Sequence, residues 1–114
     1  MIGGDTTNTG KSGETIYDEP FPCEFHPLLK HDKRGIVGMA TKPKQPNSNL
    51  SQFYIIFGPQ PHLDGQSTVF AHVIDGMDSL DLMEAVECDP KFKPLTPIVI
   101  QSTTIHANPF AQQQ

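Results

Sequence analysis

The chain has 114 residues, enough for one small domain with a modest core, here taken as residues 1–114. With 36% apolar and 18% charged residues, 11 prolines and 9 glycines, it reads as a globular, turn-rich chain with few long helices. A net charge of −5, with no basic run longer than "KHDKR", argues against direct nucleic-acid binding, and no apolar run approaches membrane-spanning length.

The two cysteines, Cys23 and Cys88, are far apart, and "MIGGDTTNTG" has neither a charged leader nor an apolar stretch of secretory type. Together these predict reduced thiols in a cytoplasmic or nuclear protein.

Residues 1–34 are turn-rich, and within them "GGDTTNTGKSGETIYDEP" (3–20), with much Gly, Thr and Ser and little periodicity, predicts a long surface loop. "GIVGMA" (35–40) is the first strand, with Gly38 suggesting close approach of another backbone. "TKPKQPNSN" (41–49) is a loop. "QFYIIF" (52–57) is the strongest strand, too apolar to leave one face in water. "GPQPHLDG" turns the chain, "TVFAHVI" (68–74) forms a further strand, and Asp75-Gly76 ends it.

"DSLDLMEAV" is the one clear helix. Asp78 is expected as its N-cap, Met77 and Leu82 as a hydrophobic staple, and Leu80, Met83 and Val86 as its apolar face. "PIVIQSTTIH" (97–106) reads as a long last strand, followed by a surface tail. Strands of this kind with one helix suggest a small antiparallel barrel or sandwich, although closing a small barrel takes about eight strands.

No nucleophile, phosphate-loop or paired-cysteine motif is present. "CEFHPLLKH" gathers Cys23, His26 and His31, but as a zinc site it lacks a fourth ligand at a usual spacing. Cys23 is therefore expected to pack, and both histidines to lie on the surface or in turns. Neither a metal nor a cofactor is expected. A Ser51/His62 pair has no acidic residue placed to orient it.

Three stretches carry a more specific signal: "GGD…TGKSGETIYDEPFPCEFHPLLKHDKRGIVGMA", "NSNLSQFYIIFGPQPHLDGQSTVFAHVIDGMDSLDLME" and "TIHANPF". Together they span nearly the whole chain and resemble the cyclophilin family of peptidyl-prolyl cis-trans isomerases. The closing "TIHANPFA" is similar to the small, spliceosome-associated isomerase-like 3 branch of that family.

The resemblance implies a mainly β fold: a cyclophilin-like antiparallel β-barrel, N-terminally incomplete here, with one capping α-helix. It implies a groove on the barrel's outside, where proline fills an apolar pocket and polar groups hold the flanking backbone. On that reading Gln52 bonds substrate backbone, and Phe53 and Tyr54 line the pocket. Tyr54 stands at a usual phenylalanine, so its hydroxyl needs a partner. Ala40 matches the small residue after the family's Ser-Met in the groove floor, and Thr41 the backbone-binding position beside it. Leu63 closes the pocket. His62 replaces a tryptophan, which implies weak binding of cyclosporin. Gly10 matches a neighbouring subpocket and Met1 the pocket methionine. Phe53, Leu63 and Phe70 would fit a core equally well, and Gln52 a strand edge.

The family's catalytic arginine, in a Phe-His-Arg motif upstream of Gly-Gly-Asp, has no counterpart, and Arg34 matches the lead-in to a strand. About the first third of the family's domain is unmatched, and residues 41–49 are longer than the family's loop. Three readings follow. The chain is an isomerase by lineage, acting on Xaa-Pro peptides or proteins in folding or spliceosomal rearrangement, with little turnover of its own. Or it is a non-catalytic module binding proline peptides or spliceosomal proteins. Or it is a fragment without independent function.

Overall fold

The computed structural model describes residues 1–5, 7, 12–42 and 44–108. The chain divides into two compact units, Met1–Glu84 and Ala85–Gln114.

The first unit is built on an antiparallel four-stranded sheet, with β1 at Ile2–Gly3, β2 at Ile36–Met39, β3 at Phe53–Ile55 and β4 at Val69–His72. Its order is β1-β3-β2-β4, so the sheet is open at β1 and β4 among the described residues. Strands β2 and β3 pair Gly38 with Tyr54 and Met39 with Phe53. The register sorts the side chains by the two-residue period of a strand. Ile36, Tyr54, Ile56 and Val69 form the buried cluster on one face. Val37, Met39, Phe53, Ile55 and Ala71 lie on the other, each half-buried. The apolar run at 52–57 therefore leaves neither face in open water, as its composition predicts.

Between Val37 and Gly38 the pairing with β4 shifts, because Gly38 faces Val69 while Val37 faces Ala71. Phe70 is the extra residue of that bulge and is 53% exposed, so it is not a core residue.

Residues 12–34 form the expected irregular loop, but polar anchors fasten it. The Ser51 hydroxyl donates to the Gly4 carbonyl at 2.6 Å and accepts from the Glu14 amide at 3.0 Å. Phe21 and Asn49 exchange backbone bonds of 3.0 and 3.2 Å. Cys23 is half-buried, and its Sγ accepts from Asn49 Nδ2 at 3.4 Å.

The turn after β3 contains a short 3-10 helix at Pro61–Leu63, begun by the proline's preset φ. After β4, Gly76 adopts φ +82°, and its carbonyl accepts from the Leu80 amide at 3.2 Å. Gly76 therefore caps the helix α1, Met77–Glu84, in place of the expected Asp78, which lies inside the first turn. The staple does not form either: Leu82 is 73% exposed. Leu80 is the apolar residue that the helix buries, with Met83 half-buried. Arg34 ties α1 to the turn after β3, donating to the Phe57 carbonyl at 2.7 Å, Glu84 at 2.5 Å and Asp81 at 2.6 Å.

In the second unit, Asp89 organises a tight turn by accepting from the Lys91 and Lys93 amides at 2.8 and 3.0 Å. The long strand expected at 97–106 is not present. Ile98, Val99, Ile100 and Ile105 are exposed, and among the described residues no neighbouring strand offers the backbone bonds that hold a strand extended. No helix among the described residues is long and apolar enough to cross a membrane.

Candidate functional site

The chemically distinctive part of the molecule lies on the buried face of the sheet, where β3, the end of β2 and the 3-10 turn meet. Tyr54 is part of the core cluster, and Ala40 and Leu63 pack against that cluster from β2's end and from the turn. The Ala40 amide donates to the Gln52 carbonyl at 3.0 Å, which fixes both residues at one end of the β2–β3 pair. Thr41 is half-buried beside Ala40, and His62 is exposed on the same turn as Leu63.

Other expected site residues fall elsewhere. Phe53 points to the opposite face and covers Gly3, where an added Cβ would lie 3.5 Å from Phe53 Cζ. The β1 register sets Ile2 opposite Tyr54, which puts Met1 on the Phe53 side, with its carbonyl accepting from the Ile55 amide at 2.8 Å. The structure thus brings Ala40, Gln52, Tyr54 and Leu63 together, with Thr41 and His62 flanking them. Gly10 lies outside the described residues.

The Gln52 side chain is already engaged: its Nε2 donates to the Ser12 carbonyl at 2.6 Å. Its carbonyl oxygen is the side-chain atom to offer a ligand.

His31, expected on the surface or in a turn, proves central. His31 is 1% exposed. Its backbone amide and its Nδ1 both reach Asp64 Oδ1, at 2.7 and 2.8 Å. Its carbonyl accepts from the Gln60 amide at 2.9 Å. Its Nε2 lies 2.5 Å from the Tyr54 hydroxyl, and the two rings stack with centroids 5.8 Å apart. With Asp64 as an ionised acceptor, Nδ1 carries a proton, and Nε2 is left facing the Tyr54 hydroxyl. The hydroxyl that distinguishes Tyr54 from phenylalanine thus has a buried partner. The signal available in the sequence was that need itself, since "LLKH" supplies a histidine after an apolar pair.

Charge follows this geometry. The His31 amide, then its ring N–H, hold the Asp64 carboxyl below its ordinary range. Burial pushes the Tyr54 phenol up, against a hydrogen bond from the Ser67 hydroxyl. Both ring nitrogens of His31 are occupied, and His26 Nδ1 accepts from the Leu28 amide at 3.1 Å, so the Cys23/His26/His31 grouping is turn chemistry. Beside the turn, residues that include Phe25, Leu29, Lys30, Asp64 and Val69 line a cavity of about 370 Å³, at the small end for a ligand pocket.

The family model described as cyclophilin type peptidyl-prolyl cis-trans isomerase/CLD matches residues 1–105. The chain belongs to this family. It is 50% identical over 108 residues to peptidyl-prolyl cis-trans isomerase 10 of Caenorhabditis elegans, covering 95% of this chain and 66% of that protein. It is 52% identical over 112 residues to peptidyl-prolyl cis-trans isomerase-like 3 of Rhizopus delemar, covering 97% and 65%. A cyclophilin type isomerase of Cryptosporidium parvum, solved in the presence of the dipeptide Ala-Pro, superposes with a TM-score of 0.88 at 44% identity, over 94% of this chain and 68% of that one. The chain spans about two thirds of the length of the curated relatives it matches. The cyclophilin likeness thus reaches through both units, to residue 105.

Proposed function

We propose that this chain carries the proline-holding wall of a cyclophilin groove and binds Xaa-Pro segments of peptides and proteins, with little isomerase turnover of its own. The observation that carries this reading is the convergence of Ala40, Gln52, Tyr54 and Leu63 at one end of the β2–β3 pair. The apolar members suit a pyrrolidine ring, the Gln52 carbonyl oxygen suits a backbone amide, and the adjoining cavity gives room to a flanking residue. The relative solved with Ala-Pro supports the same ligand class.

The chemistry explains why binding and turnover separate. Rotation about the peptide C–N bond meets a barrier of about 18–20 kcal/mol, because the bond is partly double. A catalyst must hold the ring while the acyl side turns, and must offer a donor that favours the twisted amide over the planar one. Arg34, the chain's one arginine, is committed to the Phe57 carbonyl, Asp81 and Glu84. The Gln52 amide is committed to Ser12. Neither is free to serve the twisting bond.

A proline-isomerisation assay on an Ala-Pro peptide tests the turnover part. The expected rate lies close to the uncatalysed one, and a rate typical of active family members would contradict it. A second reading is a non-catalytic module that binds proline peptides or spliceosomal proteins in the cytoplasm or nucleus, and the engagement of Arg34 and of the Gln52 amide within the chain favours it. The free thiols of Cys23 and Cys88 suit such a compartment. With His62 at the groove's rim, cyclosporin binds weakly on either reading.

A further inference from the structure

The Pro61–Leu63 turn is closed by its own backbone bonds, Leu63 amide to Gln60 carbonyl and Asp64 amide to Pro61 carbonyl, both 3.1 Å, but these do not tie it to the sheet. It contains no buried residue, and it ends at Asp64 in extended conformation. One residue outside the turn secures both of its ends. His31 accepts from the Gln60 amide at the entrance and donates twice to Asp64 at the exit. The same imidazole then reaches Tyr54 on β3 through Nε2.

From this we infer that His31 is a positioning residue for the proline-holding wall: with its proton on Nδ1 and Nε2 as acceptor, it locks the Leu63 turn to Tyr54 so that the wall exists before a peptide arrives. The inference rests on the proposed function for its meaning, though the lock is a separate claim about this chain.

Three consequences follow. The chain Asp64–His31–Tyr54 is directional. The carboxylate demands the Nδ1 proton, which leaves Nε2 as acceptor and turns the Tyr54 hydroxyl inward as donor. The hydroxyl is then spent on His31, so the tyrosine presents to a ligand what a phenylalanine would. And because Asp64 sets the tautomer, a change at Asp64 reaches Tyr54 through the ring that joins them.

The test combines nitrogen-15 spectra of the histidine side chains, amide exchange at Leu63, and titration with an Ala-Pro-containing peptide, on the wild-type chain, Asp64→Asn and Asp64→Ala. Asparagine keeps an acceptor oxygen for Nδ1–H, and alanine does not. The wild type should show His31 as the Nδ1-protonated tautomer, with the Leu63 amide protected by its bond to the Gln60 carbonyl. Asp64→Ala should mix the tautomers, speed Leu63 exchange and weaken peptide binding about tenfold, while Asp64→Asn stays within about threefold of wild type.

An Nε2-protonated His31 in the wild type would overturn the inference. So would an Asp64→Ala chain with unchanged tautomer and unchanged Leu63 exchange, or an Asp64→Asn chain as impaired as Asp64→Ala. If the wild type binds no peptide, the proposed function fails, and the tautomer and exchange data still decide the lock. Should Asp64→Ala fail to fold, the wild-type tautomer and the Asp64→Asn comparison decide it.

Discussion

Gly38 lies under the Tyr54 ring. The two are paired across β2 and β3, and a Cβ added at Gly38 would come within 2.9 Å of Tyr54 Cε2 and closer still to the hydroxyl end. The glycine therefore serves a side chain, where the sequence suggested a neighbouring backbone. Gly38→Ala should destabilise the chain by about 1–3 kcal/mol through overpacking. In a Tyr54→Leu background the same change should cost much less, because the ring is gone. Denaturant unfolding of the four chains in that cycle checks both statements.

The Tyr54 hydroxyl should matter in its own right. Tyr54→Phe leaves the packing and removes the partner of a buried imidazole nitrogen, at a cost of about 1–3 kcal/mol. In a Tyr17→Phe chain, Tyr54 is the one phenol left, and its absorbance titration should fall above pH 10.0. A raised folded value means that the stability linked to this phenol is complete below pH 10.0 and is lost as pH rises through the folded value.

At the acid end the sign reverses. The Asp64 carboxyl is held below its ordinary 3.8 by the His31 amide and ring. Its stabilisation is present above that value and is lost as pH falls through the lowered one. Unfolding followed from pH 5 downward should show wild type losing stability below about pH 4, and Asp64→Asn losing less over the same window.

Helix α1 offers a contrast between two leucines. Leu80 is 2% exposed and Leu82 is 73% exposed. Leu80→Ala should lower stability by about 2–5 kcal/mol, whereas Leu82→Ala should stay within about 0.5 kcal/mol. Equal losses would mean that Leu82 staples the helix after all.

Arg34 joins α1 to the turn after β3 through exposed carboxylates and a buried-side carbonyl. Arg34→Gln should lower the melting temperature at low salt, and the gap should narrow at high salt as screening weakens the ion pairs. The part carried by the Phe57 carbonyl and by the stack on the Phe57 ring, at 5.4 Å, should persist.

What could be read in the sequence was what short-range patterns encode. Strands β2, β3 and β4 and helix α1 announce themselves by β-branched runs, glycine stops and helical spacing. The family likeness singled out Ala40, Gln52, Tyr54 and Leu63 as candidates. Long-range pairing was not legible. Ile2–Gly3 is too short to show a period, and it becomes a strand because β3 has a free edge to pair with. Ile98, Val99 and Ile100 have every local mark of a strand, yet no described neighbour supplies a ladder. His31 looked like a surface or turn residue because nothing within its own segment reveals Asp64 or Tyr54, 33 and 23 positions away.

The central claim is that this chain holds proline at the wall formed by Ala40, Gln52, Tyr54 and Leu63. Its most direct test is an amide-shift titration of the labelled chain with an Ala-Pro-containing peptide and with the same peptide carrying alanine for proline. The account predicts saturable shifts at Ala40, Gln52 and Leu63 with the proline peptide and none with the alanine one. Equal shifts with both peptides, or none at those three amides with either, would contradict it.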